Sequence, residues 1–206
     1  MSTTLTSVPK AFAGPPVVVH AKQRRLSVAE YHRMADLGLL KPDERVELIH
    51  GLLVEKPVVT PPHAFAVTKL SKLIEQYNIA QSVLRVQMPI TLSDSEPEPD
   101  LVLARSVESE YFDRHPGPAD IQLLIEVAVS SLAFDQGEKL SLYAANGIAV
   151  YWIVNLIDKR LEVYTIPQGG DQPAFLDVQH FARGATVPII LNGAMAGSVA
   201  VSDVIK

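Results

Sequence analysis

The stretch Ile121-Gln122-Leu123-Leu124-Ile125-Glu126-Val127-Ala128-Val129 decides how the rest of the chain is read. It is almost continuously apolar, as expected of a central strand covered on both faces. One carboxylate, Glu126, stands inside it. An ionised carboxylate in such a strand is costly unless it meets a cation or strong donors. Two readings stay open: a metal ligand at the strand's end, or a salt-bridged or exposed glutamate where the strand emerges.

Working outward, the segments on either side suit an α/β protein with a mixed sheet flanked by helices. Downstream, Asp135 and Glu138 form a capping-box pattern, predicting a helix through Leu140, Tyr143 and Ala144 that ends at Gly147. Val150 to Asn155 and Arg160 to Thr165 predict a hairpin at a sheet margin. A loop at Gln168-Gly169-Gly170-Asp171 and a β-rich C-terminal third follow.

Upstream, Ser27 and Glu30 predict a capped helix with Val28, Tyr31, Met34 and Ala35 on one face, stopped by Gly38. Arg45 to Ile49 and Leu52 to Glu55 predict a hairpin turning at His50–Gly51. Pro61 and Pro62 lead into a helix from about His63 to Tyr77, whose stripe is Phe65, Val67, Leu70, Leu73, Ile74 and Tyr77. Val83 to Leu92 reads as a strand, and another opens at Asp100 after Pro99.

The chain has 206 residues, 48% of them hydrophobic and 20% charged, which fits one domain with a sizeable core. Residues 26 to 206 are expected to form it, after a poorly ordered tail over residues 1 to 25. The formal net charge of −5 excludes nucleic-acid binding through bulk positive charge, though not through a local basic cleft. The absence of cysteine excludes disulfides, a thiol nucleophile and thiolate-bound zinc, and fits the cytoplasm. The N-terminal residues lack the pattern of a signal peptide. Residues 184 to 202 are apolar but broken by Pro188, Asn192, Gly193 and Gly197; they predict two segments around an Asn192–Gly193 turn rather than a membrane span.

Three more residues join Glu126 as candidates for chemistry, with His63 beside them. Asp100 is placed at a defined strand entry by Pro99, unless it is an ordinary turn aspartate. Lys139 lies at the boundary of the buried helix stripe and would lean back to Glu126, unless it is solvated. Alternation puts Glu47 on the face opposite Val46 and Leu48, which leaves simple exposure open. His63, ahead of a helix N-terminus, would contact a phosphate or be structural. Acidic oxygen ligands suit Mg²⁺ or Mn²⁺, and a lysine beside them would orient water or stabilise charge on a phosphate. The six histidines show no close metal-ligand spacing, and there is no G-x-S-x-G elbow, P-loop or G-x-G-x-x-G.

Several runs, in order, resemble the Uma2 family (DUF820): Arg45-Val46-Glu47-Leu48-Ile49-His50-Gly51, Pro97-Glu98-Pro99-Asp100-Leu101, Ile125-Glu126-Val127, Gly137-Glu138-Lys139-Leu140-Ser141-Leu142-Tyr143-Ala144, and Val150-Tyr151-Trp152-Ile153-Val154. That family is similar to the PD-(D/E)XK superfamily, which implies a restriction-endonuclease-like core. The resemblance implies Asp100 and Glu126 as metal ligands, Glu47 as a further acidic residue near the metal, and Lys139 as the catalytic lysine. Ala128 stands where the superfamily's usual strand lysine would be, and Val129-Ser130-Ser131 replaces the family's frequent S-P-S.

The expectation is therefore a Mg²⁺-dependent (or Mn²⁺-dependent) endonuclease acting on nucleic acid, DNA first, as a homodimer without a membrane anchor. The alternative is an inactive dimerising or nucleic-acid-binding module of the same fold, which the acidic charge and missing strand lysine favour. Fold alone does not choose between them.

Overall fold

The computed structural model describes residues 24–41, 43–105 and 111–206; the expected N-terminal tail, up to residue 23, lies outside the described residues. Helix α1 (Val28–Asp36) opens with the Ser27–Glu30 capping box, both halves formed. Strands β1 (Val46–Ile49) and β2 (Leu52–Glu55) pair as an antiparallel hairpin. The turn residues His50 and Gly51 have φ of +47° and +72°, the left-handed pair that matches strand twist.

Helix α2 (Pro61–Glu75) begins two residues before the expected start, so both prolines occupy its first turn, where a missing N–H costs no helical bond. Strand β3 (Ser82–Val86) is shorter than expected. Gln87 turns to φ +50° and gives its N–H to the Asp100 carbonyl, which ends the strand. Ile90 and Leu92 are still buried, but on irregular chain tied to Pro97 and Ser95.

Strands β4 (Leu101–Arg105) and β5 (Ile121–Ala128) pair antiparallel. After β5 come α3 (Leu132–Phe134), a π-helical turn (Asp135–Lys139) and α4 (Leu140–Ala145). Here the capping-box expectation fails. The helical run starts at Leu132, and Asp135 lies inside it, buried, with its carboxylate accepting a hydrogen bond from the Ser131 hydroxyl at 2.7 Å.

This crossover brings β6 (Val150–Asn155) parallel to β5, the connection that parallel pairing needs. Strand β7 (Arg160–Gln168) does form a hairpin with β6, but not at a margin. Strand β8 (Ala174–Ala182) adds beyond it, giving the six-stranded order β3-β4-β5-β6-β7-β8. Strands β9 (Thr186–Leu191) and β10 (Ala194–Ala200) form the hairpin expected around Asn192–Gly193, and α5 (Val201–Val204) follows. Among the described residues no helix is long and apolar enough to cross a membrane.

The period of two in β5 sorts its side chains between two cores. Leu123, Ile125 and Val127 pack with α2, α5 and the β9–β10 hairpin. Leu124 and Ala128 face the other way, with Leu142, Tyr143 and Tyr151. Glu126 falls on this second face by the same alternation, directly under the helix that carries Lys139.

Candidate active site

Four carboxylates and one ammonium converge on that face. Glu126 is 4% exposed, and its Oε1 accepts from Lys139 Nζ at 2.9 Å and from the Tyr143 hydroxyl at 2.9 Å. Its Oε2 accepts from the Asp100 N–H at 3.3 Å. Asp100 returns the link, since its Oδ2 accepts from the Val127 N–H at 2.9 Å. The two carboxylates are thus laced through the backbones of neighbouring strands, which fixes both.

Asp100 has two more partners. His63 Nε2 lies 3.1 Å from its Oδ2, and Gln87 donates to its Oδ1 at 3.2 Å. Glu47 is buried rather than exposed, because both faces of β1 are covered: Leu48 is fully buried on one, while Glu47 on the other turns to the cleft. Its Oε1 lies 3.2 Å from Lys139 Nζ, and its Oε2 accepts from the Glu98 N–H at 3.1 Å. Lys139 therefore bridges Glu47 and Glu126, with the Phe134 ring 5.9 Å away.

Burial and mutual repulsion raise two of these carboxyls. Glu126 is pushed up to about 8, chiefly by burial, against the pull of Lys139 and helped by Asp135, Asp100 and Glu47. Burial likewise raises Asp135 to about 6, although Lys139 and Ser131 oppose it. Asp100 behaves differently: burial pushes its carboxyl up, but His63, the Val127 N–H and Gln87 outweigh that and hold it below the ordinary value. For Lys139, burial works against the charge, yet Glu126, Glu47 and Asp135 keep the ammonium well above an ordinary lysine. It stays charged across the physiological range.

All these groups line a cleft of about 240 Å³ that also carries Arg45, Lys56, Thr60 and Ser131. The hydroxyl of Thr60 and Nδ1 of His63 are buried without a hydrogen-bond partner. The structure brings Asp100, Glu126, Lys139, Glu47 and His63 to one place. His63 sits inside the first turn of α2 rather than ahead of it, and contacts Asp100. Sequence reasoning missed Asp135, having spent it on a helix cap. The signal was there: Leu132, Asp135, Lys139, Leu142 and Tyr143 make one helical stripe, which puts Asp135 on the buried face.

Among the described residues no group of three or more histidine or acidic side chains is arranged to hold a metal ion as it stands. The carboxylates instead face protein donors. Their chemistry still fits a hard divalent cation: the groups are oxygen donors, they come from separate elements onto one cleft, and their negative charge exceeds that of the ammonium touching them.

Comparisons with known proteins bear on the family and the fold. The model of the family Uma2, described as "Putative restriction endonuclease", matches residues 28–194. A crystal structure described as a "putative nuclease belonging to DUF820", from Anabaena variabilis ATCC 29413, superposes with a TM-score of 0.64 at 16% identity. The match covers 82% of this chain and 94% of that one, and at this identity it shows a shared fold. No protein of curated function matches the chain.

Proposed function

This chain belongs to the Uma2 family, and from that premise we propose that it hydrolyses phosphodiester bonds of nucleic acid with a divalent cation, Mg²⁺ or Mn²⁺. One observation carries the reading: Glu47, Asp100, Glu126 and Asp135 are all buried along one cleft, where the Lys139 ammonium touches Glu47 and Glu126. Burying that much negative charge is unfavourable unless protons or a cation offset it. A divalent cation is the partner that offsets the charge while leaving the carboxylates ionised.

Glu47, Asp100 and Glu126 would hold the cation. When bound, it polarises the phosphoryl group and stabilises the leaving oxygen. Glu126, Glu47 and Asp135 favour the charged form of Lys139, so it enters the site as an ammonium. Its ammonium positions the attacking water and faces the charge that builds on the phosphate. His63 holds the Asp100 carboxylate through Nε2 and so supports a metal ligand, and a phosphate contact by this histidine is proposed from its place in the first turn of α2. Arg45 and Lys56 add positive charge along the cleft for the backbone of the substrate, despite the acidic total.

DNA is the substrate to test first. A homodimer belongs to the same reading, supported by the exposed Ile166, Leu176 and Val178 on β7 and β8. Sedimentation showing only a 22.5 kDa species at micromolar concentration would count against it.

The decisive experiment incubates wild type and Asp100→Asn with plasmid, single-stranded DNA and RNA, in Mg²⁺, Mn²⁺ or EDTA. Cleavage that needs the metal and disappears in the variant supports the proposal. Cleavage by neither protein, with no Mn²⁺ binding by wild type, would leave a non-catalytic module of the same fold.

A further inference from the structure

Glu162, on β7, is completely buried yet lies outside the cleft. Its Oε1 accepts from Asn155 Nδ2 at 2.8 Å, Arg160 Nε at 2.8 Å and Gln136 Nε2 at 3.1 Å. Its Oε2 accepts from the Tyr164 hydroxyl at 2.6 Å and Gln136 Nε2 at 2.9 Å. Burial alone would raise this carboxyl, but the donors outweigh it and hold it at about 2.

Three of the donors belong to the β6–β7 hairpin and need no helix to make their bonds. Gln136 is different. It comes from the π-helical turn, and its amide spans both carboxylate oxygens. It directly follows Asp135 and stands three residues before Lys139. A π turn is uncommon, and such turns recur at functional sites. This one is gripped from outside at its first residue too, where the Tyr151 hydroxyl donates to the Asp135 carbonyl at 3.1 Å.

We propose that Glu162 is a positioning residue of the candidate active site: through Gln136 it fixes the rotation of the π-helical turn, and so aims Lys139 and Asp135 at Glu126. The inference rests on the nuclease reading of that site. From the placement that the turn gives its backbone, Lys139 reaches Glu126 at 2.9 Å and Glu47 at 3.2 Å together. Small misplacements of such groups are costly, because a shift of about 1 Å can lower a rate about a hundredfold. If Glu162 merely anchored the hairpin, its bonds to Asn155, Arg160 and Tyr164 would suffice and Gln136 would be dispensable.

Gln136→Leu separates the two, since it leaves Glu162 with its hairpin donors. In the metal-free protein, hydrogen exchange of the Lys139 ammonium is read by nuclear magnetic resonance on ¹⁵N-lysine. Mn²⁺ affinity is read by calorimetry, cleavage on the substrate panel, and folding by thermal unfolding. The expected result is exchange at least about tenfold faster, with Mn²⁺ affinity and cleavage down about tenfold, at a melting temperature within about 3 °C of wild type. Glu162→Gln should lose as much or more, and the double variant no more than Glu162→Gln. Unchanged ammonium exchange and Mn²⁺ affinity in Gln136→Leu would overturn the proposal. If wild type neither binds Mn²⁺ nor cleaves, the nuclease reading falls instead, while the ammonium exchange still tells whether Gln136 sets the placement of Lys139.

Discussion

Lys139 Nζ stands 2.9 Å from Glu126 Oε1, although the glutamate lies in the middle of the sheet and the lysine on the helix that returns over it. Both side chains are almost fully buried. Ala128 stands two residues after Glu126 on the strand, and the ammonium that pairs with the glutamate comes from the helix.

Lys139→Met follows from this pairing. Removing one partner of a buried ion pair costs about 3–5 kcal/mol, because the other charge is left uncompensated. In metal-free protein the loss should be smaller at pH 5 than at pH 8, since Glu126 can then take a proton. Urea unfolding at both pH values in EDTA measures it. Equal losses would mean that Glu126 is ionised throughout, contrary to its surroundings.

Metal binding should release protons. Glu126 is raised from 4.5 to about 8, and Asp135 from 3.8 to about 6. Across those windows the folded chain holds protons that the unfolded chain has lost. These two groups therefore make the metal-free protein less stable as pH rises from about 4 to 8. A bound cation reverses this by favouring the ionised carboxylates. Mn²⁺ should thus raise the melting temperature more at pH 8 than at pH 5.5. Near pH 6, calorimetry in buffers of different ionisation enthalpy should show roughly one to two protons released. A pH-independent Mn²⁺ effect would show that these carboxyls do not face the metal.

Much of the site was legible because Glu126 breaks an apolar run, and such a break demands a partner. Asp100 was legible because Pro99 fixes where its strand begins. Asp135 was overlooked, since aspartate followed by glutamate three residues later looks the same in a cap and in a buried turn. The stripe of Leu132, Asp135, Lys139, Leu142 and Tyr143 tells them apart, but it shows only once the helix is started at Leu132. The sheet order was out of reach for a similar reason. Nothing local in Ala174 to Ala182 shows that this strand pairs outside β7 and moves the β6–β7 hairpin into the sheet. Likewise, the apolar residues Ile90 and Leu92 prolong the strand pattern of β3, whereas their burial is reached on irregular chain.

Tyr143→Phe removes one of two donors to Glu126 Oε1 and leaves Lys139 in place. An acceptor that keeps a charged partner should lose about 1 kcal/mol of stability. Cleavage should fall, though less than in Asp100→Asn, because no proposed metal ligand is removed. Side-by-side rates and urea midpoints check this. A loss of rate equal to that of Asp100→Asn would give the Tyr143 hydroxyl a direct part in the reaction.

Gly51→Ala tests how tightly the β1–β2 turn holds Glu47. Gly51 has φ of +72°, where a side chain is strained, and an added Cβ would come within 2.6 Å of Arg25 Cβ and 2.7 Å of the Leu26 carbonyl oxygen. Gly147 also has φ of +72°, but its Cβ would meet nothing within 4 Å. Gly147→Ala should therefore cost the backbone strain alone, about 1–2 kcal/mol. Gly51→Ala should cost more, because the segment bonded to it through the Leu26 N–H must also move. That movement shifts the strand bearing Glu47, so Mn²⁺ affinity should fall in Gly51→Ala and hold in Gly147→Ala. Equal affinities in the two variants would show that the turn does not control the placement of Glu47.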